Sequence, residues 1–235
     1  LELGDGDELW ENLSFKPVFE AHKNVYLLMQ LFHKENKLHM IWGNHDMVYQ
    51  DPNYVKKHLS TYFDEKTGED VELFKNINFH EGIILKHCAT EQEVFLTHGH
   101  QADWWNYLFW KWSRFMVRVL WKPLNVMGIA DPTSPAKNYK ELIKVERRTK
   151  KWIAENNNLI TIVGHTHRPR FPEPGDIAFF NDGSCVHPRS ITGIEIENGA
   201  ISLIKWQIDT NDDGVLQIVR VLLEGPRKLI EYKTN

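Results

Sequence analysis

The sequence predicts an α/β fold in which two sheets pack face to face with helices outside. Three observations predict it. Short apolar runs stop abruptly at polar, glycine-containing clusters; a segment of helical period lies between the first two of them; and the C-terminal half alternates strand-like runs with hairpin turns. Residues 38–42 run into Gly43-Asn44-His45-Asp46, residues 94–97 into His98-Gly99-His100, and residues 159–163 into Gly164-His165-Thr166-His167. Each reads as a buried strand with a loop at its C-terminal end, where α/β folds collect ligands. Residues 1–3 before Gly4-Asp5 look like the stub of another such strand. Between these, residues 16–36 place Val25, Leu28, Met29 and Phe32 at helical spacing and read as one crossover helix. Further on, residues 141–156 read as a second. Residues 178–180, 190–197, 200–208 and 215–224 read as strands, with Asn198-Gly199 and Asp212-Asp213-Gly214 as hairpin turns.

The bulk numbers fit this. A chain of 235 residues with 42% hydrophobic content fits one large domain with a sizeable core, read as a single domain over 1–235. A net charge of −4 offers no general attraction to nucleic acid, so no nucleic-acid partner is expected. Two cysteines, Cys88 and Cys185, make no disulfide framework; they read as buried thiols in a reducing cytoplasm. No apolar run reaches the ~18–20 residues of a membrane span. Leu1 is not a natural start, so the true N-terminus is expected upstream of it.

Residues 102–136 stand apart as an inserted helical lid of one or two helices, holding five of the nine tryptophans between Trp104 and Trp121. Lys111, Arg114, Arg118 and Lys122 fall on one stripe of an otherwise apolar helix. The stripe suits phosphate or simple solvation, and the tryptophans suit packing, a dimer contact or a lipid site. The run Asp209-x-Asn211-x-Asp213-Gly214 imitates the start of a calcium loop, but its twelfth position is Arg220, so it reads as a hairpin turn.

The loop clusters carry the chemistry. Gly4-Asp5, Gly43-Asn44-His45-Asp46, His98 and Gly164-His165-Thr166-His167 offer carboxylate, amide oxygen and imidazole, donors suited to Mn, Fe or Zn. The glycines allow turns sharp enough to aim these side chains at one centre. Two metals about 3.5–4 Å apart can share a hydroxide and align in-line attack on a phosphoryl group. A carboxylate must bridge them, and Asp5 is the natural candidate.

In this order the motifs resemble those of the calcineurin-like metallophosphoesterases, from residue 1 to about Ser184; Asn181-Asp182-Gly183-Ser184 is similar to a segment that follows the last histidine motif in that family. The resemblance implies a four-layer α/β/β/α sandwich and two divalent metal ions, Mn first, with Fe, Zn or Ni as alternatives. It implies Asp5 as bridging ligand, Asn44, His98 and His165 as further ligands of one metal, and His167 as ligand of the other. His45 is then the unmetallated catalytic histidine, contacting the phosphoryl group or protonating the leaving oxygen, with Asp46 orienting it and Glu8 in a supporting place. The family's opening Asp-x-His is missing; it is expected upstream of Leu1, the other reading being a lost metal. Arg168, His100, Arg114 and Arg118 are the candidate substrate contacts.

Within the family, Gly4-Asp5-Gly6-Asp7-Glu8-Leu9-Trp10-Glu11 is similar to a signature of the UDP-2,3-diacylglucosamine hydrolase branch, which implies a lipid-linked diphosphate as one substrate class. His98-Gly99-His100 and the last strands depart from that branch. The main expectation is a phosphomonoester or phosphodiester, with a serine/threonine phosphoprotein and a non-catalytic binding protein as rivals. The expected location is cytoplasmic, peripheral to the inner membrane face through the lid, with a homodimer as a further expectation.

Overall fold

A computed structural model describes residues 1–103, 107, 109–117, 119, 138–187 and 189–233. It is a mixed α/β structure whose described strands form four sheets. Where the sequence reads as one domain, the chain groups into two compact units: residues 1–82 with 103–131, and residues 83–102 with 132–235.

In chain order the first unit carries α1 (Phe15–Ala21), α2 (Lys23–Lys34), β1 (Met40–Ile41), α3 (Pro52–Leu59), β2 (Thr61–Asp64), β3 (Glu69–Glu72), β4 (Phe79–His80) and α4 (Trp110–Met116). β1 pairs in parallel with β4, and Glu2 bridges in parallel to Met40, so residues 1–3 do form the stub of a strand. The expected crossover helix is two helices meeting at His22. α3, the β2–β3 hairpin and β4 were not legible in the sequence. α3 starts on Asp51, whose side chain accepts from the Asn53 N–H at 2.9 Å, with Pro52 in its first turn.

This unit's core gathers Leu9, Phe15, Phe19, Tyr26, Trp42, Tyr49 and Phe74, with Trp110 of α4 packed against it. Such side chains contribute roughly 1.5–3 kcal/mol each on burial. One carboxylate sits among them. Asp7 is buried and accepts from the hydroxyls of Tyr26 and Tyr49, which ties α2 and the 3-10 turn after Asp46 to the Gly4–Trp10 loop. Burial still pushes its carboxyl above the ordinary range. That tie also orients α2: Tyr26 and Gln30 point inward, while Val25, Leu28 and Phe32 are 55%, 56% and 49% exposed. Three of the four residues that marked this helix in the sequence therefore face out, because polar anchors set its rotation, while Met29 packs against the core.

The second unit carries β5 (Gly82–Lys86), which begins at the boundary, β6 (Glu93–Thr97), α5 (Tyr139–Glu155), β7 (Ile160–Val163), β8 (Phe179–Asn181), β9 (Ser190–Glu197), β10 (Ala200–Thr210) and β11 (Leu216–Lys228). β5 to β8 lie side by side in that order, with β6, β7 and β8 parallel. α5 is the crossover between β6 and β7. It starts on Asn138, which accepts from the Lys140 N–H, and buries Leu142, Val145, Thr149 and Ile153 at helical spacing. Ile153 closes on Val163 and Phe179. β9, β10 and β11 form an antiparallel sheet. Asn211 turns the β10–β11 hairpin by accepting from the N–H groups of Asp213 and Val215, so the calcium-like run is a turn. Cys88 and Cys185, expected as buried thiols, are exposed because both fall in loops. No described helix is long and apolar enough to cross a membrane.

Candidate metal and phosphoryl site

In the first unit, Gly4 and Asp5 both adopt positive φ, 91° and 62°. This turn is costly for a non-glycine residue and marks a backbone held for a purpose. It brings the Asp5 carboxylate under the next motif, where Oδ1 accepts from the backbone N–H of His45 at 2.7 Å. Gly43 makes the approach possible. A Cβ there would sit 2.6 Å from the Asp5 backbone nitrogen and closer still to its carboxylate. Asn44 is buried, and its Oδ1 has no hydrogen-bond partner among the described residues. A buried amide oxygen left so is costly, and a cation is the partner that would satisfy it.

His45 sits in a carboxylate-rich cradle. Its Nδ1 lies 2.6 Å from Glu8 Oε2, and its ring stacks on Trp10 with centroids 4.6 Å apart and 21° between planes. Glu8 is itself held, its Oε1 accepting from the backbone N–H groups of Trp10 and Glu11. Burial disfavours the charged ring, but Asp5, Glu8 and Asp46 outweigh it and push His45 up to about 9. The sequence reading gave the orienting role to Asp46. The carboxylate on Nδ1 is instead that of Glu8, while Asp46 Oδ1 accepts from the Gly43 N–H at 2.5 Å and reaches His45 through its field. The reason is positional: Asp46 folds back over the turn that it terminates. Glu2 adds a fourth acid, raised well above its ordinary range by burial and then by Asp46, Asp7 and Asp5.

In the second unit, three imidazoles crowd together. His98, His100 and His165 are all buried; the His98 ring lies 5.3 Å from that of His100 and 5.2 Å from that of His165. The backbone forces this meeting. The Gly164 N–H donates to the His98 carbonyl at 3.0 Å, and Asn181 Nδ2 donates to the Gly164 carbonyl at 2.6 Å. His165 and His167 take positive φ of 62° and 54°, the same kind of turn as at Asp5. His100, expected to face substrate, is fully enclosed against its two neighbours.

Asp182 was singled out only as part of a resembling segment. A Cβ on Gly164 would lie 3.3 Å from its Oδ1 and 3.8 Å from Nδ1 of His98. Burial pushes its carboxyl up to about 6, and His98 partly offsets that. Its signal was a carboxylate directly after the strand that neighbours the Gly-His-x-His strand. Trp10 and Asp7 had no comparable signal, since stacking and buried hydrogen bonds leave no spacing pattern. Of the remaining substrate candidates, Arg168 is exposed, Arg114 is half-buried on α4, and Arg118 lies outside the described residues.

No curated protein and no solved structure matches the chain. The model of the calcineurin-like phosphoesterase family matches residues 4–169, which contain the Asp5, Asn44-His45-Asp46, His98 and His165-Thr166-His167 motifs, and the chain belongs to that family.

Proposed function

We propose that this chain is a metal-dependent hydrolase of a phosphomonoester or phosphodiester. The observation that carries the reading is His45, held by Glu8 and Trp10 beside the carboxylates of Asp5 and Asp46. Family membership and the chemistry of the donors support the metal: Asp5, His98 and His165 offer the carboxylate and imidazoles that a divalent cation takes, and the amide oxygen of Asn44 adds to them. In this reading His167 joins the set, the fold is the family's α/β/β/α sandwich, and Mn is the first expectation. When bound, two divalent cations would supply a hydroxide nucleophile and neutralise phosphoryl charge. The chain's own contribution is the proton. A cationic His45 hydrogen-bonds the phosphoryl or leaving oxygen through its outer nitrogen, while Glu8 holds the inner one and stabilises the charged ring. Trp10 fixes the plane of the ring, so the proton is aimed rather than merely present.

The test is turnover of chromogenic mono- and diesters with Mn added. Activity lost in His45→Gln with metal content unchanged supports the reading; wild-type turnover in that variant removes His45 from the chemistry.

A second reading, a lipid-linked diphosphate, is favoured by one observation. Trp112 and Phe115 on α4 stack at 5.8 Å while 58% and 52% exposed, with the exposed Lys111 beside them. An apolar face next to a cation suits a lipid headgroup at the inner membrane face. Hydrolysis of a soluble pyrophosphate that is no better in vesicles than in solution would discard it.

A further inference from the structure

The sheet of β9, β10 and β11 carries apolar side chains on both of its faces. The register places Trp206 opposite Ile191, Ile208 opposite Ile218, Thr210 opposite Leu216 and Ile204 opposite Leu222. Residues directly opposite share a face, so Ile191, Trp206, Ile208, Leu216, Ile218 and Leu222 share one face, crossed by the Arg220–Glu195 pair. All six are exposed, from 39% at Trp206 to 73% at Ile218. The other face of the same strands holds the buried Ile201 and Leu203 beside the half-buried Ser190, Thr192, Lys205 and Gln207, so it is the covered one. A sheet with one free face normally turns its polar side to water. Here the side left out is apolar as well, which points to a further partner.

The composition of the surface narrows that partner. Its one cation, Arg220, forms an ion pair with Glu195 on the same face, so the patch carries no net charge. Residues 207–219 hold Asp209, Asp212 and Asp213 and no lysine or arginine. An acidic hairpin repels anionic lipid and nucleic acid, which leaves a protein surface. A neutral apolar face meets no repulsion from its own copy, and two-fold pairing of identical patches is the commonest assembly. The six side chains expose on the order of 600 Å², near the ~800 Å² per partner of a standard interface and at the upper end for a free monomer patch.

We propose that this face is the interface of a homodimer, two β9–β11 sheets packing face to face about a two-fold axis with their acidic hairpin tips apart. The test is sedimentation equilibrium of the full chain at ~50 µM. The expected mass is twice 27.7 kDa. Ile208→Lys with Ile218→Glu removes the apolar pair yet keeps a favourable cross-strand pair, so the hairpin persists. This variant should be monomeric, with dimer dissociation at least ~10-fold easier, and should keep its far-UV circular dichroism. Trp206→Lys is the second variant should the first fail to fold, and it should also be monomeric. Leu28→Lys, on the exposed face of α2, should leave the dimer intact. A wild-type monomer at ~50 µM overturns the proposal. So does a dimer that survives the β10–β11 or Trp206 variants, or one lost only in Leu28→Lys.

Discussion

The two units prepare the same chemistry by opposite means. The first gathers carboxylates around one imidazole: Asp5, Glu8 and Asp46 surround His45 and hold it cationic. The second gathers imidazoles beside one carboxylate: His98, His100 and His165 crowd together near Asp182. Charge sets the proton in the first, since three acids shift a histidine that burial alone would neutralise. Backbone geometry sets the imidazoles in the second, where hydrogen bonds at Gly164 draw His98, His165 and Asn181 together. In the proposed function the first unit supplies a proton donor, which needs a tuned field, and the second supplies metal ligands, which need fixed atoms.

The comparison is broken most directly at its two histidines. His45→Gln should lower kcat by about 10²–10⁴-fold while bound metal, measured by elemental analysis, stays the same. His98→Ala should do the reverse and lose metal first; unchanged metal content would show that the second unit is no ligand half. Next in size is Asp182→Asn, expected to weaken metal affinity by about 10–100-fold in a competition titration, because a carboxylate beside a ligating imidazole fixes its ring. If affinity is unchanged, Asp182 is only a buried group next to Gly164.

Smaller effects sharpen the contrast. In metal-free protein, His45 should titrate near 9 by NMR, and Glu8→Gln should lower that value without abolishing its elevation, since Asp5 and Asp46 remain. The raised folded value also predicts a pH window. Charged His45 stabilises the fold fully below its unfolded pKa of 6.5, and that contribution is lost as pH rises through about 9. The melting temperature of metal-free wild type should therefore fall over this range more steeply than that of His45→Gln; parallel curves would remove the linkage. Away from the site, Ile153→Ala should cost about 2–5 kcal/mol in urea unfolding, because Ile153 is fully buried against Val163 and Phe179.

Much of this was legible because short motifs follow strands. The runs ending at Asp46, His98 and His167, and the hairpin turns at Gly199 and Gly214, needed only local spacing, and these strands fell within one or two residues of their expected bounds except the last, which runs on to Lys228. α2 was read correctly as helix, but its buried face was not legible, since a stripe of period 3.6 records amphipathicity but not which contacts win. Tyr26 and Gln30 won through hydrogen bonds to Asp7 and to the Glu72 carbonyl, partners 19 and 42 residues away.

The sequence by itself determined the ligand-type residues, their order, and the strand-then-loop grammar that presents them. Those are properties of residue type and nearest neighbours. Only the tertiary structure decided that Glu8 rather than Asp46 holds Nδ1 of His45, that Trp10 stacks on its ring, that Asp182 lies near His98, and that an apolar face of β9–β11 is left exposed. Each of these depends on segments remote in the chain, or on how a loop folds back, and pairwise distance in space is not written in spacing along the chain.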